Sequence, residues 1–375
     1  MPHRTLLLAA ALLTACATGA AAQPNALGTL HFLGAAIIPN EAEVDGTLVG
    51  GLSGLDFNPV TGTWAFISDD KSDKAPARFY LGRIDLANGT PAVTLDRVAV
   101  LQQASGQPYP NSKAGGEVPD PESIRFDPSG MALWWSTEAD RKLGVSPFVR
   151  ETALDGRFAA DLKLPAMFKV GKDPERGPRH NLGFEGLSFT PSKDAVWLSM
   201  ESALLEDGPV ATTSVGTVAR FTKLDRGGKL LGQYAYPVDP IQAVPTGQGA
   251  DNGVSEILAL ADDRLLVLER SGVSRADGVW TMYIRLYQAD VGDATNVADM
   301  PALAGAKYRP MRKQLVLDLS KLPELGSPAL PRVDNIEGMA FGPVLPNGHR
   351  SLVLISDNNF NPLQMTQILA FEVLP

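Results

Sequence analysis

The apolar residues of this chain come in short pairs of segments. The first member alternates, as with Ile124 and Phe126 or Leu187 and Phe189, and the second is almost uniformly apolar: Trp64–Ile67, Leu133–Trp135, Val196–Leu198, Leu265–Leu268 and Leu352–Ile355. Between the two lie turn formers: Asn58–Gly62, Asp127–Gly130, Thr190–Asp194, Ala261–Asp263 and Pro346–Gly348. Alternation followed by an apolar run rich in aromatic and β-branched residues predicts hairpins buried on both faces.

The pairs are copies of one unit. An acid or serine opens the first segment and an acid follows the second, sixteen residues later in three copies: Ser53 to Asp69, Glu122 to Glu138, and Glu185 to Glu201. Two looser copies run from Glu256 to Glu269 and from Glu337 to Asp357. Repeats of this kind decide the architecture. Two more strands are expected after each hairpin, for example Arg78–Ile84 with Val93–Leu101, and Val218–Leu224 with Leu230–Tyr236. The last hairpin has only Gln367–Val373 after it, so Gly28–Leu33 is expected to supply the missing strand. The reading is all-β: a single β-propeller of five or six four-stranded blades, closed by an N-terminal strand that leaves no free edge.

Equivalent positions fall at 57, 126, 189, 260 and 341, steps longer than an ordinary blade needs. The surplus is assigned to residues 102–121, 165–183, 239–255 and 323–336, which join successive blades on one face. In a propeller the first strands line the channel, so Glu122, Glu185, Glu256 and Glu337 share one mouth with Asp69, Asp70, Glu138, Glu201, Glu269 and Asp357. Carboxylates so gathered repel one another and call for a cation. A set of hard, flexible oxygen donors suits Ca²⁺, with metal ligands expected at Glu122, Glu185, Glu256, Glu337, Asp69 and Asp357. The alternative for each acid is a strand cap or an arginine partner in the next blade. Arg78 and Arg270 stand close to closing acids and are the expected anion contacts.

Charge and termini narrow the setting. A net charge of −9 argues against nucleic acid as a partner. Residues 1–22 resemble an export signal, with Arg4, the apolar run Leu6–Leu13 and small residues to Ala22. The protein is therefore expected in the periplasm or secreted, as residues 23–375. Leu13-Thr-Ala-Cys16 also fits a lipid-attachment site, which would make an outer-membrane lipoprotein. Cys16 is the sole cysteine, so the folded body has no disulfide or cysteine zinc site. No later stretch is apolar and long enough to span a bilayer, and a monomer is expected.

Several motifs, in order along the chain, resemble one family: Gly51–Phe57, Ile67–Asp70 with Ala77–Tyr80, Pro121–Ile124, Phe184–Leu187, and Asn335–Met339 through Ser356–Asn358. They are similar to the phytase-like family described as carrying the esterase-like activity of phytase, related in architecture to the alkaline propeller phytases. The resemblance implies a calcium-dependent phosphoric ester hydrolase acting on a small phosphorylated substrate, with Glu185, Glu201, Arg78 and Arg270 as catalytic candidates. The Asp-Asp-Pro-Ala signature of the alkaline enzymes is absent, and Asp120-Pro-Glu-Ser only echoes it. A carboxylic ester or lactone hydrolase on the same metal site, or a non-catalytic binding propeller with structural calcium, are the alternatives.

Overall fold

The computed structural model describes residues 27–172 and 175–375. The expected export signal and the Cys16 attachment site lie outside the described residues. Five antiparallel sheets of four strands form the blades. Blade 1 is Leu52–Asn58, Thr63–Ser68, Arg78–Asp85 and Ala92–Val100; blade 2 is Pro121–Phe126, Ala132–Thr137, Phe148–Ala153 and Phe158–Asp161. Blade 3 is Phe184–Phe189, Ala195–Met200, Thr217–Asp225 and Leu230–Val238; blade 4 is Ala250–Ala261, Arg264–Ser274, Trp280–Asp290 and Arg312–Asp318. Blade 5 takes Ile336–Val344, Arg350–Ser356 and Thr366–Leu374 from the C-terminus and Thr29–Ile38 from the N-terminus.

The closing strand runs antiparallel to Thr366–Leu374, from Thr29 opposite Leu374 to Ile38 opposite Thr366. Each blade's first strand lies against the first strands of its two neighbours, so five of them ring the channel. The uniformly apolar second strands fill the space between blades. Trp64, Trp135 and Trp197 are essentially solvent-free there, and each aromatic so buried contributes about 1.5–3 kcal/mol.

The long repeat steps hide no sixth blade among the described residues. One insertion lies elsewhere than the spacing suggests: residues 291–311 join the third and fourth strands of blade 4 and lie along the outer strand of blade 3. There the Val297 and Met311 amides donate to the Gln233 and Ala235 carbonyls at 2.8 and 2.9 Å, which covers that strand's exposed edge. Among the described residues the helical pieces are two short turns, Ala166–Phe168 and Leu319–Lys321. No helix among them is long and apolar enough to cross a membrane.

Candidate metal centre at the channel mouth

A bulge near the start of every first strand builds the site. The pairing slips between Leu52 and Gly54, Pro121 and Ile124, Phe184 and Gly186, Val254 and Glu256, and Ile336 and Gly338. A bulge re-aims the residue it leaves unpaired. The bulged residues are Ser53, Glu122 with Ser123, Glu185, Ser255 and Glu337. Three of them precede a glycine, and at Gly54 the reason is visible: a Cβ there would lie 2.5 Å from the Glu122 carbonyl oxygen of the next blade.

In blades 1, 2, 3 and 5 the second strands end just beyond these bulges. The amides of Asp69, Glu138, Glu201 and Asp357 donate to the carbonyls of Gly51, Asp120, Gly183 and Asn335 at 2.7–3.0 Å. The equivalent place in blade 4 belongs to Arg270, opposite Gly253. Blade 4 is therefore shifted by one residue at both ends relative to the sequence reading: Ser255 and Arg270 take the repeat positions, and Glu256 and Glu269 do not. A slip of one residue sends a side chain elsewhere.

Glu256 is thereby corrected from mouth ligand to throat ion pair. Its Oε2 lies 2.6 Å from Arg125 Nη2, and the carboxylate accepts from Ser123 Oγ at 2.9 Å, Ile257 N at 2.9 Å and Leu187 N at 3.2 Å. Arg125 in turn donates to the carbonyls of Leu55, Ile124, Ile257 and Met339, on the first strands of four blades, and so closes the channel. Glu269 is tied between blades 3 and 4 by Tyr236, Lys313, Asn252 and the Asp239 amide.

Arg78 is corrected as well. Its side chain is 1% exposed and bound to Asp70 at 2.7 Å, with further bonds to Tyr80 Oη and the Leu48 carbonyl. It braces blade 1 and offers no free donor face to a substrate. Arg141 and Arg179 likewise clamp loop carbonyls, and Lys307 and Arg309 lie in the 291–311 segment.

What remains at the mouth is a cavity of about 560 Å³. Asp69, Asp120, Glu122, Glu138, Glu185, Glu201, Asp251 and Glu337 line it, against two cationic side chains, Lys71 and Arg270. Lys71 Nζ sits 2.5 Å from Asp120 and donates to Asn181 Oδ1 at 2.9 Å. Arg270 reaches Glu201 at 3.2 Å and Asp251 and Glu337 at 3.4 Å. Asp357 lies behind this surface, 1% exposed, its Oδ2 buried without a hydrogen-bond partner.

The acids are held far from their ordinary titration range. Burial first, and repulsion from neighbouring carboxylates second, pushes Asp69, Glu122 and Glu185 well up, and takes Glu138 to about 8. Burial outweighs Lys71 at Asp120, which rises to about 6, and outweighs Arg270 at Glu201. Raised to about 8, Glu138 holds a proton at neutral pH unless a cation replaces it.

The donor set fits a hard cation. Oxygens of Asp120, Glu122 and Glu138 lie within 4.8 Å of one another, as do those of Glu138, Glu185 and Glu201, so Glu138 is common to both groups. Buried oxygens without partners at Asp357 Oδ2 and Asn335 Oδ1 add unmet acceptors on the Glu337 side. Of the ligands expected from sequence, the structure brings Glu122, Glu185, Glu337 and Asp69 to the cavity wall. Asp120, Glu138 and Asp251 join them; Glu138 carries the sixteen-residue spacing that singles it out, whereas Asp251 precedes its repeat and has no such signal.

No curated protein matches the chain. Among solved structures it is similar to the Dos1 propeller at 10% identity, covering 86% of this chain and 68% of that one with a TM-score of 0.31. A putative oxidoreductase (glucose dehydrogenase) from Thermus thermophilus is 14% identical over 92% and 98% of the two chains, TM-score 0.37. The Cps50 (Swd1) β-propeller domain of Myceliophthora thermophila is 11% identical over 88% and 99%, TM-score 0.37. The sequence profile of the phytase-like family, described as the esterase-like activity of phytase, matches residues 47–360, a span that holds every mouth acid named above, and the chain belongs to that family.

Proposed function

We propose that the protein is an exported, calcium-dependent phosphoric ester hydrolase whose reaction takes place in the mouth cavity. The observation that carries this reading is the pair of three-carboxylate groups sharing Glu138, beside Arg270 and Lys71. Asp120, Glu122 and Glu138 would hold one ion, and Glu138, Glu185 and Glu201 a second. When bound, calcium supplies charge neutralisation for the phosphate and a water of lowered pKa.

The chain's own residues do the rest. Arg270, held by Glu201, Asp251 and Glu337, offers a planar guanidinium to two phosphate oxygens. Glu201 acts on the reaction by fixing that arginine. Glu185, whose carboxylate lies within 4.8 Å of that of Glu138, would take the proton of the attacking water. Lys71 adds positive charge at the opposite wall. A second reading, a carboxylic ester or lactone substrate, draws on Leu182, Trp280 and Met282, the apolar residues that line the cavity.

The test is hydrolysis of p-nitrophenyl phosphate, bis(p-nitrophenyl) phosphate and p-nitrophenyl acetate by wild type and Glu185→Gln, with calcium and after chelation. Calcium-dependent cleavage of a phosphate ester, reduced about 10²–10⁴-fold in the variant with an unchanged melting temperature, is expected. Cleavage of the acetate alone moves the assignment to the second reading. No turnover, with calcium still raising the melting temperature, makes the ion structural.

A further inference from the structure

The opposite end of the channel holds a second cavity, of about 490 Å³, cut off from the mouth by Arg125. Its walls come from the far ends of the first strands, where four of the five repeats place an aromatic residue: Phe57, Phe126, Phe189 and Phe341. Blade 4 breaks the ring. The one-residue shift that moves Glu256 out of the mouth also puts Ala259 at the fifth aromatic position, so the ring is open on that side. The volume falls in the usual range of small-molecule sites.

Polar groups around the cavity are unequally committed. Asp56 accepts the Phe126 amide at 2.8 Å, and Asp127 is paired with Arg226 and caps its own turn. Of the two arginines, Arg125 is committed to Glu256 and four carbonyls, whereas Arg350 is not so engaged. Arg350 stands at the rim with its guanidinium 3.7 Å from the Phe341 ring centroid, and among the described residues it meets no carboxylate or carbonyl partner. At the floor, Arg125 is 3% exposed and its Nε is buried with no acceptor. Val60 and Val344, 86% and 66% exposed, extend the apolar surface at the lip.

We propose that this cavity binds a small carboxylate with an apolar body, the body lying against the four phenylalanines in the gap left by Ala259 and the carboxylate meeting Arg350. A guanidinium stacked on an aromatic ring is well placed to hold a planar anion. The neutral analogue would keep the apolar contact and lose the charge-assisted bonds.

Calorimetric titration of the full chain with octanoate and with 2-naphthoate, in the presence of a chelator to keep the acidic mouth out of play, tests this. One-to-one binding of either is expected, the stronger of the two telling acyl from aryl bodies. Arg350→Gln should weaken it about tenfold or more, and Ala259→Phe, which completes the ring, should abolish it. No saturable binding of either compound, or binding that Arg350→Gln leaves unchanged, overturns the proposal. If Ala259→Phe lowers the melting temperature, the Arg350→Gln comparison decides alone.

Discussion

The throat and the mouth of the channel use the same kinds of residue to opposite ends. In the throat one carboxylate, Glu256, meets one guanidinium, Arg125, at 2.6 Å with three further donors on its oxygens. At the mouth eight carboxylates face two cations. The difference traces to one bulge. In blade 4 the register places Ser255 and Arg270 where the other blades carry acids or a serine, which takes a carboxylate down into the throat and brings an arginine up into the mouth. A folding device and a charged, under-neutralised site thus come from one repeat, separated by a single residue of register.

The largest effect is expected in the throat. Arg125→Met should lower stability by about 3–5 kcal/mol, because it leaves Glu256 buried without its partner. Urea denaturation at neutral pH measures this. Arg125→Met combined with Glu256→Gln should recover part of the loss. A single variant as stable as wild type would mean that the throat pair is dispensable and that the comparison with the mouth fails.

At the mouth, removing a charge should relieve the metal-free protein. Glu138→Gln takes out the carboxylate common to both three-acid groups, so the calcium-induced rise in melting temperature should vanish; at a hundredfold excess over Kd that rise corresponds to about 2.7 kcal/mol. The pH dependence has a definite sign. Glu138 moves from 4.5 in the ordinary range to about 8, and Asp120 from 3.8 to about 6, so the folded chain keeps protons that the unfolded chain has released. That contribution is fully present below the unfolded values and is lost as pH climbs through the folded ones. The chelated wild type should therefore lose stability between about pH 4 and 8, and Glu138→Gln should flatten the slope. Calcium binding should strengthen over the same interval, since the ligands must be deprotonated. A stability that rises with pH in chelator would contradict the charge arrangement described.

Much of this is legible in the chain. The hairpins show because a strand, turn and strand of fixed length impose a fixed spacing, and the sixteen-residue interval survives in blades 1 to 3. Glu122, Glu185 and Asp69 reach the mouth for that reason, and Glu337 joins them from a looser copy. The N-terminal closing strand is readable from a blade left one strand short. Blade 4 defeats the sequence because a bulge carries no mark of its own: Ser255 and Glu256 are both polar, as are Glu269 and Arg270, and only the pairing tells which one faces the channel. Arg78 reads as available because it neighbours an acid, yet that acid, Asp70, is its buried partner. Arg125 escapes notice, since an arginine amid apolar alternation gives no hint that four strands converge on it.

The smallest effect should come from the mouth's own ion pair. Lys71 and Asp120 are 2.5 Å apart, but the lysine side chain is 31% exposed, against 4% for Arg125. An ion pair open to water typically contributes about 0–1 kcal/mol, and Asp120, raised to about 6, has the option of taking a proton when its partner goes. Lys71→Met should accordingly cost about 1 kcal/mol or less in chelator at neutral pH, a fraction of the Arg125→Met loss. With calcium present the sign should reverse, because the lysine's charge opposes a cation among the same carboxylates. Calorimetry should find calcium bound more tightly by Lys71→Met than by wild type. Weaker binding would mean that Lys71 organises the acids rather than competing with the ion, and the mouth would then resemble the throat more than its charge count suggests.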